Sequence, residues 1–252
     1  MLAEERLNRI VAAVDERGTV TSAELMELLN ASESTVRRDL TRLAQEGRIV
    51  KVHGGAASAG ATAARRTVVS VDQTVGERHE LHLAEKRRIA RFAATLIEPS
   101  DFVYIDAGST TGCLADAITE RSATYVTNSV EIAHVLFEKG CRVLMPAGEI
   151  KTATGALVGE QTVETLRRFR FTIGFFGTNG ATPDSGFTTP ELGEALVKEI
   201  ALAHTLKPYV LCDSSKFSTV SPVAFAAFDD AVVITEAVPG ELDGCSNVIV
   251  AE

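Results

Sequence analysis

The sequence predicts an α/β protein in two parts, a small helical head closed by a β-ribbon and a larger body of alternating strands and helices. Three observations carry this expectation. Residues 4–46 hold three short helical periods separated by turn residues. Residues 48–53 alternate polar and apolar ahead of a Gly-Gly pair. From residue 100 onward, apolar β-type runs alternate with amphipathic helical stretches, the pattern of a mostly parallel sheet with helices on its faces. A chain of 252 residues accommodates one small and one mid-sized domain. We place the first at 1–56, a connector at 57–75 and the second at 76–252.

In the head, Leu7, Ile10, Val11 and Val14 recur at helical spacing, and Gly18 ends the pattern, giving a helix over Glu4–Arg17. Thr19-Val20-Thr21 reads as a short extended piece. Thr21 and Glu24 form a capping box, so a second helix follows over Ser22–Asn30 with Leu25, Leu28 and Leu29 inward. Ala31-Ser32 makes a turn, and Ser32 is the candidate N-cap of a third helix over Glu33–Glu46. On that helix Val36, Leu40 and Leu43 face the core, while Ser34, Arg37 and Arg38 project from another face. Arg48 to His53 and Gly54-Gly55 make a hairpin-like wing. Three helices, a tight turn before the third and a basic strand after it form a winged helix-turn-helix, which places its third helix in the DNA major groove.

Charge distribution supports this reading. The chain carries −9 overall, but residues 32–53 hold Arg37, Arg38, Arg42, Arg48 and Lys51 against Glu33, Asp39 and Glu46. A local basic patch docks on phosphates, and an acidic body suppresses indiscriminate binding. The candidate DNA contacts are Ser32, Ser34 and Thr35 at the start of the third helix and Arg37, Arg38 and Arg42 along it. Arg48, Lys51 and His53 on the wing complete the set. Arginine can bind guanine bidentately, and wing bases can hold flanking phosphates.

Residues 57–70 are rich in Ala, Ser, Gly and Thr without a period and read as a flexible connector. A Lys- and Arg-rich helix is expected over Glu77–Ile97. His79 and His82 lie three apart on it, but with no third ligand nearby they read as a solvated face, and no metal is expected. The body's strands are expected at Phe102–Asp106, Thr124–Thr127, Arg142–Met145, Phe171–Phe176, Pro208–Cys212 and Ala231–Thr235. Its helices are expected at Thr111–Thr119, Val130–Glu138, Thr162–Phe169 and Glu191–His204.

Ligands of such sheets bind at the carboxyl ends of the strands. There the sequence places Asp106-Ala107-Gly108-Ser109-Thr110-Thr111, a glycine turn and hydroxyls at a helix start, which favours a bound phosphate. Thr127-Asn128-Ser129, Gly177-Thr178-Asn179-Gly180 and Asp213-Ser214-Ser215-Lys216 end other strands. Thr189-Pro190-Glu191 opens a helix with Thr189 as expected cap, and Glu194 and Lys198 sit one turn apart on it. The sequence has neither a Walker A loop nor a GxGxxG fingerprint, so no cofactor is expected. Its four cysteines, Cys113, Cys141, Cys212 and Cys245, are widely spaced in apolar segments and read as reduced, buried thiols. No run approaches the roughly 18 apolar residues of a membrane helix, and the acidic start lacks a leader's apolar core. A cytoplasmic protein without a membrane partner is the expectation.

The run Ser32-Glu33-Ser34-Thr35-Val36-Arg37-Arg38-Asp39-Leu40, then Gly47 and His53-Gly54-Gly55-Ala56, resembles the N-terminal signature of the DeoR family of bacterial sugar-metabolism transcription regulators. The order of later motifs extends the resemblance over nearly the whole chain. It implies a Rossmann-like effector domain similar to ribose-5-phosphate isomerase and related sugar-phosphate isomerases, binding a phosphorylated sugar. By that similarity Gly108, Ser109, Thr110 and Thr111 would hold phosphate, and Asp106, Asn128, Glu194, Lys198 and Lys216 would line the sugar end. It further implies a repressor of a sugar or carbohydrate operon, released from double-stranded operator DNA by the sugar phosphate. A homo-oligomer, dimer or tetramer, would bind paired half-sites.

An isomerase with a regulatory head is the alternative. Aldose–ketose isomerisation needs a base. Ribose-5-phosphate isomerases carry Asp-Gly-Ala-Asp where this chain has Asn179-Gly180-Ala181-Thr182, so both carboxylates are replaced. Asp184 lies nearby and keeps the question open at the level of sequence.

Overall fold

The computed structural model describes residues 3–17, 19–45, 48–52, 55–58, 67–68, 81–242 and 245–251. The chain divides into two compact units, Met1–Arg66 and Thr67–Glu252.

The first unit holds α1 (Ala3–Arg17), β1 (Thr19–Thr21), α2 (Ser22–Leu29), α3 (Glu33–Gln45), β2 (Ile49–Val52) and β3 (Gly55–Ser58). Its core is built by the helical stripes read from the sequence: Leu7, Ile10 and Val14 of α1, Leu25 and Leu29 of α2, and Val36, Leu40 and Leu43 of α3. The capping box forms, with Thr21 Oγ1 accepting from Glu24 N and Glu24 Oε2 accepting from Thr21 N. The left-handed Asn30 ends α2, at φ 47°. The strands form one antiparallel sheet in the order β1-β3-β2, so Thr19–Thr21 is a third strand of the wing. Gly55 makes this possible. A Cβ there would lie 2.2 Å from the Val20 carbonyl oxygen, so only glycine lets β3 approach β1.

The second unit is organised on a seven-stranded sheet. Its strands are β5 (Phe102–Ile105), β6 (Thr124–Thr127), β7 (Arg142–Leu144), β10 (Phe171–Gly177), β13 (Thr205–Leu211), β16 (Val232–Thr235) and β17 (Val248–Val250), all parallel, in the order β17-β16-β13-β10-β5-β6-β7. Alternate side chains point to opposite faces, as the two-residue period requires. Val103, Ile105, Phe175, Leu211 and Ile234 pack on one face with α4 (Leu83–Ala94), α5 (Ser109–Ala117) and α6 (Val130–Glu138). Tyr104, Phe176, Val210 and Val233 pack on the other with α7 (Glu160–Leu166) and α8 (Leu192–Ala203). The result is a doubly wound α/β layer structure.

Smaller pieces decorate it. β8 (Glu149–Lys151) and β9 (Ala156–Val158) form a hairpin. β11 (Gly180–Thr182), β12 (Gly186–Thr189) and β15 (Val223–Ala226) form an antiparallel sheet. β4 (Thr67–Val68) pairs in parallel with β14 (Thr219–Val220). The stretch 57–75, read as connector, therefore contains the end of β3 and all of β4; residues 59–66 and 69–75 lie outside the described residues.

Several element bounds shift from the expectation for physical reasons. The helix expected over Glu77–Ile97 is observed over Leu83–Ala94, because His82 takes a left-handed conformation, φ 55°, immediately before it; residues 77–80 lie outside the described set. α8 begins at Leu192 with Glu191 at its N-cap, and Thr189 ends β12 rather than capping the helix. Cys113, Cys141 and Cys212 are buried free thiols, whereas Cys245 is only half-buried. No helix among the described residues is long and apolar enough to cross a membrane.

Candidate functional site

On the first unit, α3 presents Ser34, Arg37, Arg38 and Arg42 to solvent, with Ser32 exposed just before it. The Ser32 hydroxyl meets those of Ser34 at 3.1 Å and Thr35 at 3.0 Å, so the first turn carries a cluster of hydroxyls. The acid in this segment is neutralised internally. Asp39 is 7% exposed and takes both arms of the Arg6 guanidinium from α1, Nε at 2.5 Å and Nη2 at 3.1 Å. This fork pairs α1 with α3 and removes the negative charge closest to Arg37 and Arg38 in sequence. Arg48 is exposed and donates to Asn8 Oδ1 at 2.9 Å, so it also ties the wing to α1. Lys51 lies on β2 opposite Ala56. His53 lies outside the described residues.

The second unit contains a cavity of about 100 Å³. It lies where the chain order of the sheet reverses. β5 continues to β6 and β7 on one side, while β10 pairs on the other. Loops leaving neighbouring strands at such a switch point separate and leave a crevice at the carboxyl ends. The wall after β5 is Ala107, Gly108, Ser109 and Thr110; after β10 it is Gly177, Thr178 and Asn179. The 3-10 turn Ser214–Ser218 after β13 adds Ser215 and Lys216. α8 contributes Glu194 and Lys198, the β8–β9 turn contributes Thr154, and the start of α4 contributes Leu81, His82 and Lys86.

Of the nine residues expected to bind the effector, six line this cavity: Gly108, Ser109, Thr110, Glu194, Lys198 and Lys216. The other three stand behind it and build it. Thr111 is fully buried and its hydroxyl donates to Gly108 O at 3.0 Å. Asn128 Oδ1 accepts from Ala107 N at 3.0 Å and from the Tyr104 hydroxyl at 3.2 Å, while its amide donates to Leu157 O at 3.3 Å. It fixes the turn without touching the cavity. Asp106, 1% exposed, accepts from Gly177 N at 3.0 Å and from Lys198 Nζ, and so joins the ends of β5, β10 and α8. Burial raises the Asp106 pKa more than the adjacent Lys198 lowers it.

The electrostatics of the lining favour an anion. α5 begins at Ser109 with Gly108 at its N-cap and no side-chain cap, so its first N–H groups border the cavity beside the Ser109 and Thr110 hydroxyls. Lys86 and Lys216 add cationic side chains, and Lys198 adds a third that is paired with Asp106. Among the described lining residues the carboxylate is Glu194. Its Oε1 accepts from Lys151 Nζ at 3.1 Å and Thr154 Oγ1 at 3.0 Å, and Oε2 lies 3.5 Å from Thr189 Oγ1. Burial alone would raise its pKa. Lys198, Lys151 and the hydrogen bonds outweigh this and hold it below its ordinary value of 4.5. Glu194 and Lys198 thus take separate partners, Lys151 and Asp106, instead of forming the helix ion pair their spacing allows. Thr182 is buried on β11, and Asp184 sits in the exposed turn between β11 and β12; neither lines the cavity.

Lys86, His82 and Thr154 were not anticipated. A signal for Lys86 was present. It falls in phase with Ile89, Ala90 and Ala93, the buried stripe of α4, and is itself only 3% exposed. A lysine on an apolar stripe needs a polar destination. Thr154 comes from a hairpin turn that carries no such mark.

Comparison with known proteins agrees with both units. Residues 6–62 match the DeoR-like helix-turn-helix domain, and residues 81–237 match the DeoR C terminal sensor domain. The chain is 37% identical over 236 residues to the HTH-type transcriptional regulator FruR of Bacillus subtilis, covering 93% of this chain and 91% of that one. It is 38% identical over 215 residues to the lactose phosphotransferase system repressor of Staphylococcus epidermidis, covering 84% and 83%. Among solved structures, ribose 5-phosphate isomerase A of Neisseria gonorrhoeae matches over 53% of each chain at 16% identity, TM-score 0.41. The sorbitol operon regulator SorC of Klebsiella pneumoniae matches over 82% of this chain and 89% of that one at 9% identity, TM-score 0.39. With two family domains in order and relatives matched almost end to end, the chain belongs to the DeoR family of bacterial sugar-metabolism transcription regulators.

Proposed function

We propose that this protein represses a sugar or carbohydrate utilisation operon and leaves its operator when the cavity binds a phosphorylated sugar. The observation that carries the effector half is the meeting of an uncapped helix start, Ser109 and Thr110 hydroxyls, and Lys86 and Lys216 beside the Lys198–Asp106 pair in one cavity at the switch point of the sheet. That set complements a dianionic phosphate. Glu194, which accepts hydrogen bonds as an ionised carboxylate, suits the hydroxyl end of a sugar. The names of the relatives, a repressor of a lactose phosphotransferase system among them, support the same reading.

The cavity reads as a sensor's rather than an isomerase's. Glu194 is held ionised by two cations and is a weak base for abstracting a proton from carbon. The carboxylates that the isomerase motif would supply are Asn179 and Thr182 here. In this proposal residues 1–56 read DNA through α3 and the wing, and residues 76–252 sense the ligand. The protein works in the cytoplasm as a dimer or tetramer, so that two heads meet paired half-sites. Ligand drives release because it binds the arrangement that holds DNA poorly more tightly than the one that holds it well.

The test is a gel shift on the protein's own upstream DNA with a panel of pentose and hexose phosphates. One of them should release the DNA, and the unphosphorylated sugar should not. Retention of the complex across the whole panel, or turnover of a panel member that Asp184→Asn abolishes, would overturn the reading.

A further inference from the structure

Two separate observations tie the ends of one chain segment to the cavity, one by lining it and one by pairing with the strand that follows a lining turn. The segment is residues 67–82, which follows the DNA-binding unit. At its far end, His82 and Lys86 line the cavity. Lys86 is 3% exposed, so its charge is committed inward. His82 holds a left-handed backbone at φ 55°, ψ 38°, a conformation that costs a side-chain-bearing residue energy and clusters at switch regions.

At its near end, β4 pairs with β14, and β14 directly follows the 3-10 turn whose Lys216 lines the same cavity. That turn and strand are held tightly. A Cβ on Gly180 would lie 2.1 Å from the Thr219 carbonyl oxygen, so β14 sits against β11 at a distance only glycine allows. Asn179, the residue before, faces the cavity.

We propose that Lys86 and His82 contact the effector, and that this contact and the β4–β14 pair together transmit ligand occupancy to residues 67–82 and so to the DNA-binding unit. The proposal rests on the cavity being the sugar-phosphate site. A ligand anion shared between the α5 start, Lys86 and Lys216 draws on both ends of the segment. A site confined to the α5 turn and α8 would leave the segment unaffected. A ligand changes an equilibrium only through unequal contacts in its two states, and these are contacts that reach the joining segment.

The test uses the full-length protein with inorganic phosphate, ribose 5-phosphate, fructose 1-phosphate and fructose 6-phosphate as probes. Calorimetry reads affinity, and gel shift on its own upstream DNA reads release. Lys86→Gln should weaken the best probe about ten- to hundredfold, as for loss of a charge-assisted hydrogen bond. Ser109→Ala, in the α5 turn, serves as the reference for the site itself. The double variant Thr67→Pro, Val68→Pro removes the backbone donors of β4 and alters no residue of the cavity wall. It should bind the probe within about threefold of the parent and yet fail to release DNA on adding it. If Ser109→Ala weakens binding and Lys86→Gln does not, the proposal fails while the site stands. If neither weakens it, the cavity reading fails and the proposal with it. If the double proline variant releases DNA as the parent does, transmission through β4 is overturned.

Discussion

Glu194 joins the stability of the fold to the ligand chemistry proposed for the cavity. Its carboxylate bridges α8 to the β8–β9 hairpin through Lys151 and Thr154, and its pKa is depressed. A depressed folded-state pKa means the charged form stabilises the fold. That contribution is fully present above the ordinary value of 4.5 and is lost as pH falls through the lower folded-state value. Glu194→Gln should therefore lower the melting temperature at neutral pH, and the gap to the parent should close on acidification below the ordinary carboxylate range. Thermal unfolding across that range checks it; a gap that stays constant with pH would show that the charge contributes nothing. The same variant should weaken sugar-phosphate binding, because it removes an acceptor from the cavity.

At the scale of elements, α3 is a core helix on one side and, on the other, the exposed surface proposed to read DNA. Val36, Leu40 and Leu43 bury one side, and the Arg6–Asp39 fork locks its rotation against α1. Arg37 and Arg38 are consequently presented in a fixed direction. Arg37→Ala should cost about 1–3 kcal/mol of operator affinity; if the contact is to phosphate, it should also lower the salt slope by about one. Sugar-phosphate affinity should be unchanged. Fluorescence anisotropy over a salt series measures both DNA quantities, and operator affinity equal to the parent's would rule out the docking of α3. Elements of this kind were readable in the sequence because each repeats its period over two or more turns. Six strands of the seven-stranded sheet were readable because each is a compact apolar run bounded by turn residues. The β8–β9 hairpin, the β11-β12-β15 sheet, β17, β14 and β4 were not. Runs of two to four residues carry too little period, and Thr67 finds its partner at Thr219, a pairing that nothing local encodes. The cavity followed the same rule. Residues adjacent in sequence to a strand end, such as Ser109, Thr110 and Lys216, were anticipated, while Thr154 reaches the site through a hairpin whose placement is tertiary. Asn128 and Asp106 were found as strand-end polar groups, but sequence could not separate lining a cavity from building one.

For the whole molecule, each unit carries its own hydrophobic core, one of α1–α3 and the wing and one on the two faces of the seven-stranded sheet. Binding to the cavity adds free energy to the folded form of the second unit alone. At a ligand concentration one hundred times Kd that gain is about 2.7 kcal/mol. Calorimetric unfolding of the full chain should therefore show a transition that moves upward with the effective sugar phosphate and another that does not, whereas operator DNA should move the second. Ser109→Ala should abolish the first shift and keep the DNA-induced one. Arg37→Ala should do the reverse. A single transition shifted equally by both ligands would mean that the two cores unfold as one cooperative block, and coupling would then have to be sought in the joint stability of the units rather than in the connecting segment.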